Sequence, residues 1–193
     1  MTEYTRETLQ EKFLDIALMD TSSPVDGAVF FSGPKAKRKA GKMVRQSDGD
    51  MKTVIDTPAL KEFVKNQSHY FGKDSLLSLE EGYAVGDWIS ERFAENAKGN
   101  VHICIDGVKP HGTFNRAEVP ALLDNPDLDK FYVYDSQPSV RGVQPFEPME
   151  FNRQDFQTYL ERKLIGRVDR RLDQSSLSQA ADSQANADTL TAS

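Results

Sequence analysis

The segment Gly112–Pro120, GTFNRAEVP, carries one carboxylate, Glu118, with Ala117, Val119 and Pro120 as its neighbours. A carboxylate in apolar company is either a surface glutamate in a turn or an acid held for catalysis, since burial shifts its ionisation. A second feature is the basic run Lys35, Lys37, Arg38, Lys39, Lys42 and Arg45. On a helix such a run wraps more than one face, and a solvated helix surface is its ordinary meaning. A helix starting at Ser32 also offers free N–H groups, with Lys35 in its first turn, and that end can take a phosphate or pyrophosphate. His69, His102 and His111 do not pair at helical spacing, and one cysteine cannot complete a recognisable zinc set. Cys104 sits mid-strand among apolar neighbours, where an inert buried thiol is expected. No G-x-S-x-G, P-loop or G-x-G-x-x-G motif occurs.

The elements that must position these residues alternate in period. Leu9, Phe13, Ile16 and Ala17 give a first helix capped by Thr5, and Thr21 to Pro24 stop it. Val25 to Phe31 reads as a strand. Ser32, Gly33 and Pro34 turn it into a helix ending near Gln46, with Ser32 as N-cap. Met51 to Ile55 reads as a second strand, followed by a helix from Asp56-Thr57-Pro58. Ser78 to Glu81 forms a capping box for the longest helix, to about Ala97, with Leu79, Tyr83, Gly86, Ile89, Phe93 and Ala97 on its apolar stripe. Val101, Ile103 and Ile105 alternate with His102, Cys104 and Asp106 as a half-buried strand. Glu118 to Leu123 is helical or irregular, Phe131 to Tyr134 is a strand, and Gln154 to Arg167 is a last helix. The class is α+β or α/β, with N-terminal helices and a small central sheet. Residues 1–172 form one domain. Residues 173–193, mostly Ser, Ala, Gln and Asp, read as a disordered tail.

Composition narrows the partners. With 24 Lys and Arg against 30 Asp and Glu, the chain of 193 residues has a formal charge of −6, which argues against a nucleic-acid ligand. No stretch approaches about 18 consecutive apolar residues, so no membrane span is expected. A single cysteine excludes an internal disulfide and suits a reducing cytoplasm. Export would need a route that reads no N-terminal signal.

Four segments together resemble the ADP-ribosyl cyclase/NAD glycohydrolase family. Ala28-Val29-Phe30-Phe31-Ser32 is similar to its short strand ending in an aromatic-Ser pair. Thr53-Val54-Ile55-Asp56-Thr57 is similar to Thr-Leu-Glu-Asp-Thr, with Ile55 where the family has Glu. Trp88 to Ala94, leading into Asn100-Val101-His102-Ile103, resembles the tryptophan-bearing helix and its following strand. Thr113-Phe114 followed by Glu118 resembles Thr-Phe-x-x-x-Glu. The order is kept over roughly residues 25 to 135. Similar domains occur in bacterial toxins that destroy NAD.

The resemblance implies an ADP-ribosyl cyclase-like fold and cleavage of the nicotinamide–ribose bond of NAD, with NAD as substrate and no separate cofactor. Glu118 is the implied catalytic residue. Phe31 or Trp88 would stack on the nicotinamide cation, Ser32 and Lys35 would take the pyrophosphate, and Ser90 and Thr113 would position phosphate or ribose. Asp56 and Phe114 complete the implied substrate-binding set. Asp106 and Asp124 are expected to tolerate amide substitution. A toxin or effector of this kind would need a cognate immunity protein. Two other readings stay open: protein ADP-ribosyl transfer, although Glu147 and Glu150 lack the usual one-residue separation of a glutamate pair, and a non-catalytic acidic binding module.

Overall fold

The computed structural model describes residues 5–67 and 77–165. The expected tail at 173–193 and the end of the proposed 1–172 domain lie outside the described residues, as does His69.

Helix α1, Arg6–Leu18, opens on a reciprocal capping box between Thr5 and Thr8. The chain then enters β1, Ala28–Ser32, and α2, Pro34–Gln46. Strand β2 is shorter than its sequence predicts. It spans Lys52–Thr53, because Asp56 Oδ2 accepts from the Thr53 amide and hydroxyl and winds Val54–Asp56 into a 3-10 turn. Helix α3, Pro58–Lys65, is capped by Thr57. Helix α4, Leu79–Glu95, begins at the expected capping box of Ser78 and Glu81. Its buried face is Gly82, Ile89, Ser90, Phe93 and Ala94, whereas Leu79 and Tyr83 are exposed. The apolar stripe is therefore real only in the C-terminal half of the helix.

Strand β3, Gly99–Ile105, leads through a loop to a π-helical turn, Phe114–Glu118, and then to α5, Val119–Asp124. Pro120 has no N–H to donate back to Arg116, and the Val119 amide reaches five residues back to Phe114 instead. Strand β4, Leu128–Asp135, pairs with β5, Pro148–Phe151, a strand the sequence pattern did not reveal. A final helix, α6, runs over 153–165 within the described residues.

The sheet order is β2-β1-β3-β4-β5. The first four strands are parallel, and β5 is antiparallel to β4. The mixed α and β class is as expected, but strands and helices alternate instead of helices preceding a sheet. Most of the core lies on one side, where Phe30, Ile103, Val101, Phe131 and Val133 meet Leu9, Phe63, Phe93 and Phe156. Helix α2 stands on the opposite side, packing Ala36 and Ala40 on Val29 and Cys104. Period-two alternation within β1 thus sends Phe30 to one layer and Phe31 to the other.

Candidate active site

In an open parallel sheet, ligands enter at the carboxyl ends of the strands where the winding reverses. Here that switch lies between β1 and β3, at Ser32 and Ile105. The π-turn carrying Glu118 packs against both β1 and α4 beside this edge.

Glu118 is 5% exposed, and Ser90, also 5% exposed, donates a hydrogen bond to it from α4. Burial pushes its carboxyl up to about 8, and the Ser90 bond opposes this while the nearby Asp87 charge adds to it. No Lys or Arg of the described residues pairs with Glu118. Arg116, two residues before Glu118, is taken by Asp87, with Nε and Nη2 at 2.7 and 2.5 Å from its Oδ2. Thr113 Oγ1 donates to the other oxygen of Asp87 at 2.9 Å. Asp87 therefore ties Thr113 and Arg116, in the segment that leads to Glu118, to α4. Sequence reading missed Asp87. Its signal was a carboxylate three residues before Ser90, on the same helix face.

The structure brings Ser90, Thr113, Phe114 and Glu118 together. It does not bring Trp88 to them. Two helical positions from Ser90 is about 200° of rotation, which turns Trp88 outward. It is 37% exposed, and its ring lies under the Arg92 guanidinium at 5.3 Å. Among the described residues no ring contact joins Trp88 to the Glu118 segment; its ring partner is Arg92.

The N-cap expected at Ser32 is corrected. Gly33, not Ser32, is the N-cap of α2, with φ of 97°. A Cβ there would lie 2.4 Å from the Asp106 carbonyl oxygen, so the position needs glycine. Ser32 Oγ donates to the Gly107 carbonyl at 3.0 Å. The Lys35 amide donates to Asp106 Oδ2 at 3.0 Å, and Ser136 Oγ donates to Asp106 Oδ1 at 2.7 Å. The anion at this helix end is the chain's own Asp106. Burial works upward on its carboxyl, but the bonds from Ser136 and Lys35 and the charges of Lys35 and Arg38 hold it below the usual carboxylate range. Asp106 is thus a structural cap and not the indifferent strand-end residue expected.

Phe31, in β1, and Asp56, in the 3-10 turn, belong to elements that touch the π-turn and α4 respectively. They line a cavity of about 510 Å³ with Lys37, Arg38, Val44, Arg45 and Ile55. Part of the basic run therefore faces a cavity and is not merely a solvated surface. Cys104 is buried, and burial pushes its thiol up to about 12 despite the Lys39 charge, as expected of an inert cysteine.

No protein-family model and no curated protein matches the chain. Among solved structures, it is similar to the Aplysia cyclase complexed with substrate NGD and product cGDPR, at 18% identity and a TM-score of 0.46, over 65% of this chain and 54% of that one. It is also similar to porcine CD38 complexed with a covalent intermediate, at 23% identity and a TM-score of 0.45, over 71% of this chain and 64% of that one. The chain therefore spans between about half and just under two thirds of the length of these structures.

Proposed function

We propose that the chain cleaves the nicotinamide–ribose bond of NAD with water, giving ADP-ribose and nicotinamide, with Glu118 as the catalytic carboxylate. The supporting observation is a buried carboxyl at the carboxyl edge of a parallel sheet, hydrogen-bonded by Ser90 and without a basic partner among the described residues. Nothing in its packing as a core residue accounts for a group whose ionisation costs so much there.

The chemistry asks for one carboxylate only. The pyridinium nitrogen leaves with the electron pair of the broken bond and becomes neutral, so no general acid is needed. The ribose ring is left with positive charge, and Glu118 in its anionic form stabilises that charge through space and accepts from a ribose hydroxyl. Water then forms the new bond at the same carbon and loses a proton to solvent. Ser90 orients the carboxylate, while Thr113 and Arg116 hold its segment through Asp87. Approach of the nicotinamide cation favours loss of the Glu118 proton, so the substrate itself readies the site.

An enzyme that depletes NAD as an effector also requires an immunity protein in the cell that makes it. The deciding experiment is incubation of the purified chain with NAD, resolving nicotinamide, ADP-ribose and cyclic ADP-ribose. Nicotinamide with ADP-ribose supports hydrolysis. Cyclic product, or label transferred to an added acceptor protein, replaces it with cyclisation or ADP-ribosyl transfer. No nicotinamide from wild-type chain refutes the reading.

A further inference from the structure

The turn that carries Glu118 is tied to α4 at two levels of the helix. At one level Glu118 accepts a hydrogen bond from Ser90. Three residues earlier, about 4.5 Å along the helix axis, stands Asp87. Its Oδ1 accepts from Thr113 Oγ1 at 2.9 Å, and its Oδ2 accepts from Nε and Nη2 of Arg116 at 2.7 and 2.5 Å. The remaining nitrogen of that guanidinium, Nη1, donates to the His111 carbonyl at 2.9 Å. Arg116 precedes Glu118 by two residues, and both side chains reach the same helix. A guanidinium placed so near a buried carboxylate would ordinarily pair with it, since burial makes an unpaired charge costly. Here it is taken up by Asp87, the more exposed of the two carboxylates. The other elements packed on the turn supply no substitute cation: β1 has no charged residue, and α5 has Asp124 at its far end. Of the charged residues of α4 beyond Ser90, Glu91 and Glu95 line a groove with Asp124, and Arg92 lies over Trp88.

We propose that Asp87 is a positioning residue whose part is to withhold Arg116 from the catalytic carboxyl. By binding the guanidinium one level away on α4, it holds the Glu118 turn in place and leaves that carboxyl to face the ribosyl cation of the substrate. An arginine bound to Glu118 would neutralise the charge that the reaction needs. This rests on the reading of Glu118 given above, and its test includes a readout that needs no cleavage.

The test follows the ionisation of Glu118 by NMR of its side-chain carboxyl carbon, with Glu118→Gln identifying the signal, beside kcat for NAD cleavage. Asp87→Asn keeps an oxygen for Thr113 and removes the charge that binds Arg116. Glu118 is then expected to ionise about half a pH unit lower or more, at least a threefold change in its proton equilibrium. At pH 8, kcat should fall about tenfold, because the released guanidinium pairs with the anion. In the double variant Asp87→Asn, Arg116→Gln the competing cation is gone, and kcat should return to within about threefold of wild type, as coupled residues permit. A tie that is merely structural predicts a double variant at least as impaired as Asp87→Asn, and that result overturns the proposal. So does a Glu118 titration that Asp87→Asn leaves in place. If Asp87→Asn does not fold, Arg116→Gln alone carries the test. It leaves the Asp87 charge unmasked beside Glu118, whose titration should move up by about half a unit; no movement overturns the proposal. The expected titration shifts, with no nicotinamide released by wild-type protein, count against Glu118 as catalyst and leave the assignment of Asp87 to Arg116 standing.

Discussion

Replacing Glu118 with Gln should make the protein more stable and nearly inactive. Burial raises this carboxyl from 4.5 to about 8. The folded state therefore binds a proton that the unfolded state releases between those values. A group whose folded pKa is raised contributes fully below the unfolded value and loses that contribution as pH climbs through the folded one. At pH 7 the loss is about 3 kcal/mol, from roughly 1.4 kcal/mol per unit over the interval above 4.5. Gln does not titrate and escapes the loss. One of its N–H groups lacks a partner in a slot made for a carboxyl, at a cost of about 1 kcal/mol. The net gain at pH 7 is about 2 kcal/mol, or a rise in Tm of roughly 4–8 °C for a domain of this size. At pH 5 the two effects nearly cancel. Thermal unfolding of wild type and Glu118→Gln from pH 5 to pH 8.5 should show the gap widening with pH. In the same samples NAD cleavage should drop about 10²–10⁴-fold, or roughly 3–5 kcal/mol of transition-state stabilisation. A variant less stable than wild type at pH 7.5, or a gap that ignores pH, would mean that Glu118 is ionised in the fold. Retention of more than about a tenth of the activity, under ~1.4 kcal/mol of barrier, would remove it from catalysis.

Wild-type kcat/KM should rise with pH toward about 8 and then level, because the anionic carboxylate is the active form; a flat profile from pH 5.5 to 8 counts against that. Trp88→Ala should leave KM within about twofold and cost under about 1 kcal/mol, since the ring is outward and contacts Arg92; a marked loss of NAD affinity would return Trp88 to the site. Asp106→Ala should lower stability by about 1–2 kcal/mol through loss of the α2 cap, read by denaturant unfolding; an unchanged midpoint would mean water serves as well. Cys104 should resist iodoacetamide in the folded protein and react after unfolding, because its thiol is buried and held protonated up to about 12; rapid labelling of native protein contradicts this.

Local signals determined much of the fold. Thr5, Thr57 and Ser78 cap helices because a short side chain with an oxygen can satisfy free N–H groups within its own turn, and that geometry depends on nearby residues alone. The alternation of β3 and the apolar run of β1 were equally legible, since a strand buried on both faces or one declares its period. Glu118 was singled out from its apolar neighbours, and it is buried. Tertiary structure decided the rest. Strand β5 is four residues held by pairing with β4, a contact distant in sequence that leaves little local trace. The helix end at Gly33 looked open to phosphate, and only the parallel pairing of β1 with β3 brings Asp106 to fill it. Trp88 stands two residues from Ser90 in sequence but faces away from it, because neighbours on a helix diverge by 100° each. Phe30 and Phe31 are adjacent in β1 yet serve opposite layers, since successive side chains of a strand point to opposite faces and the crossover helices choose which face each covers.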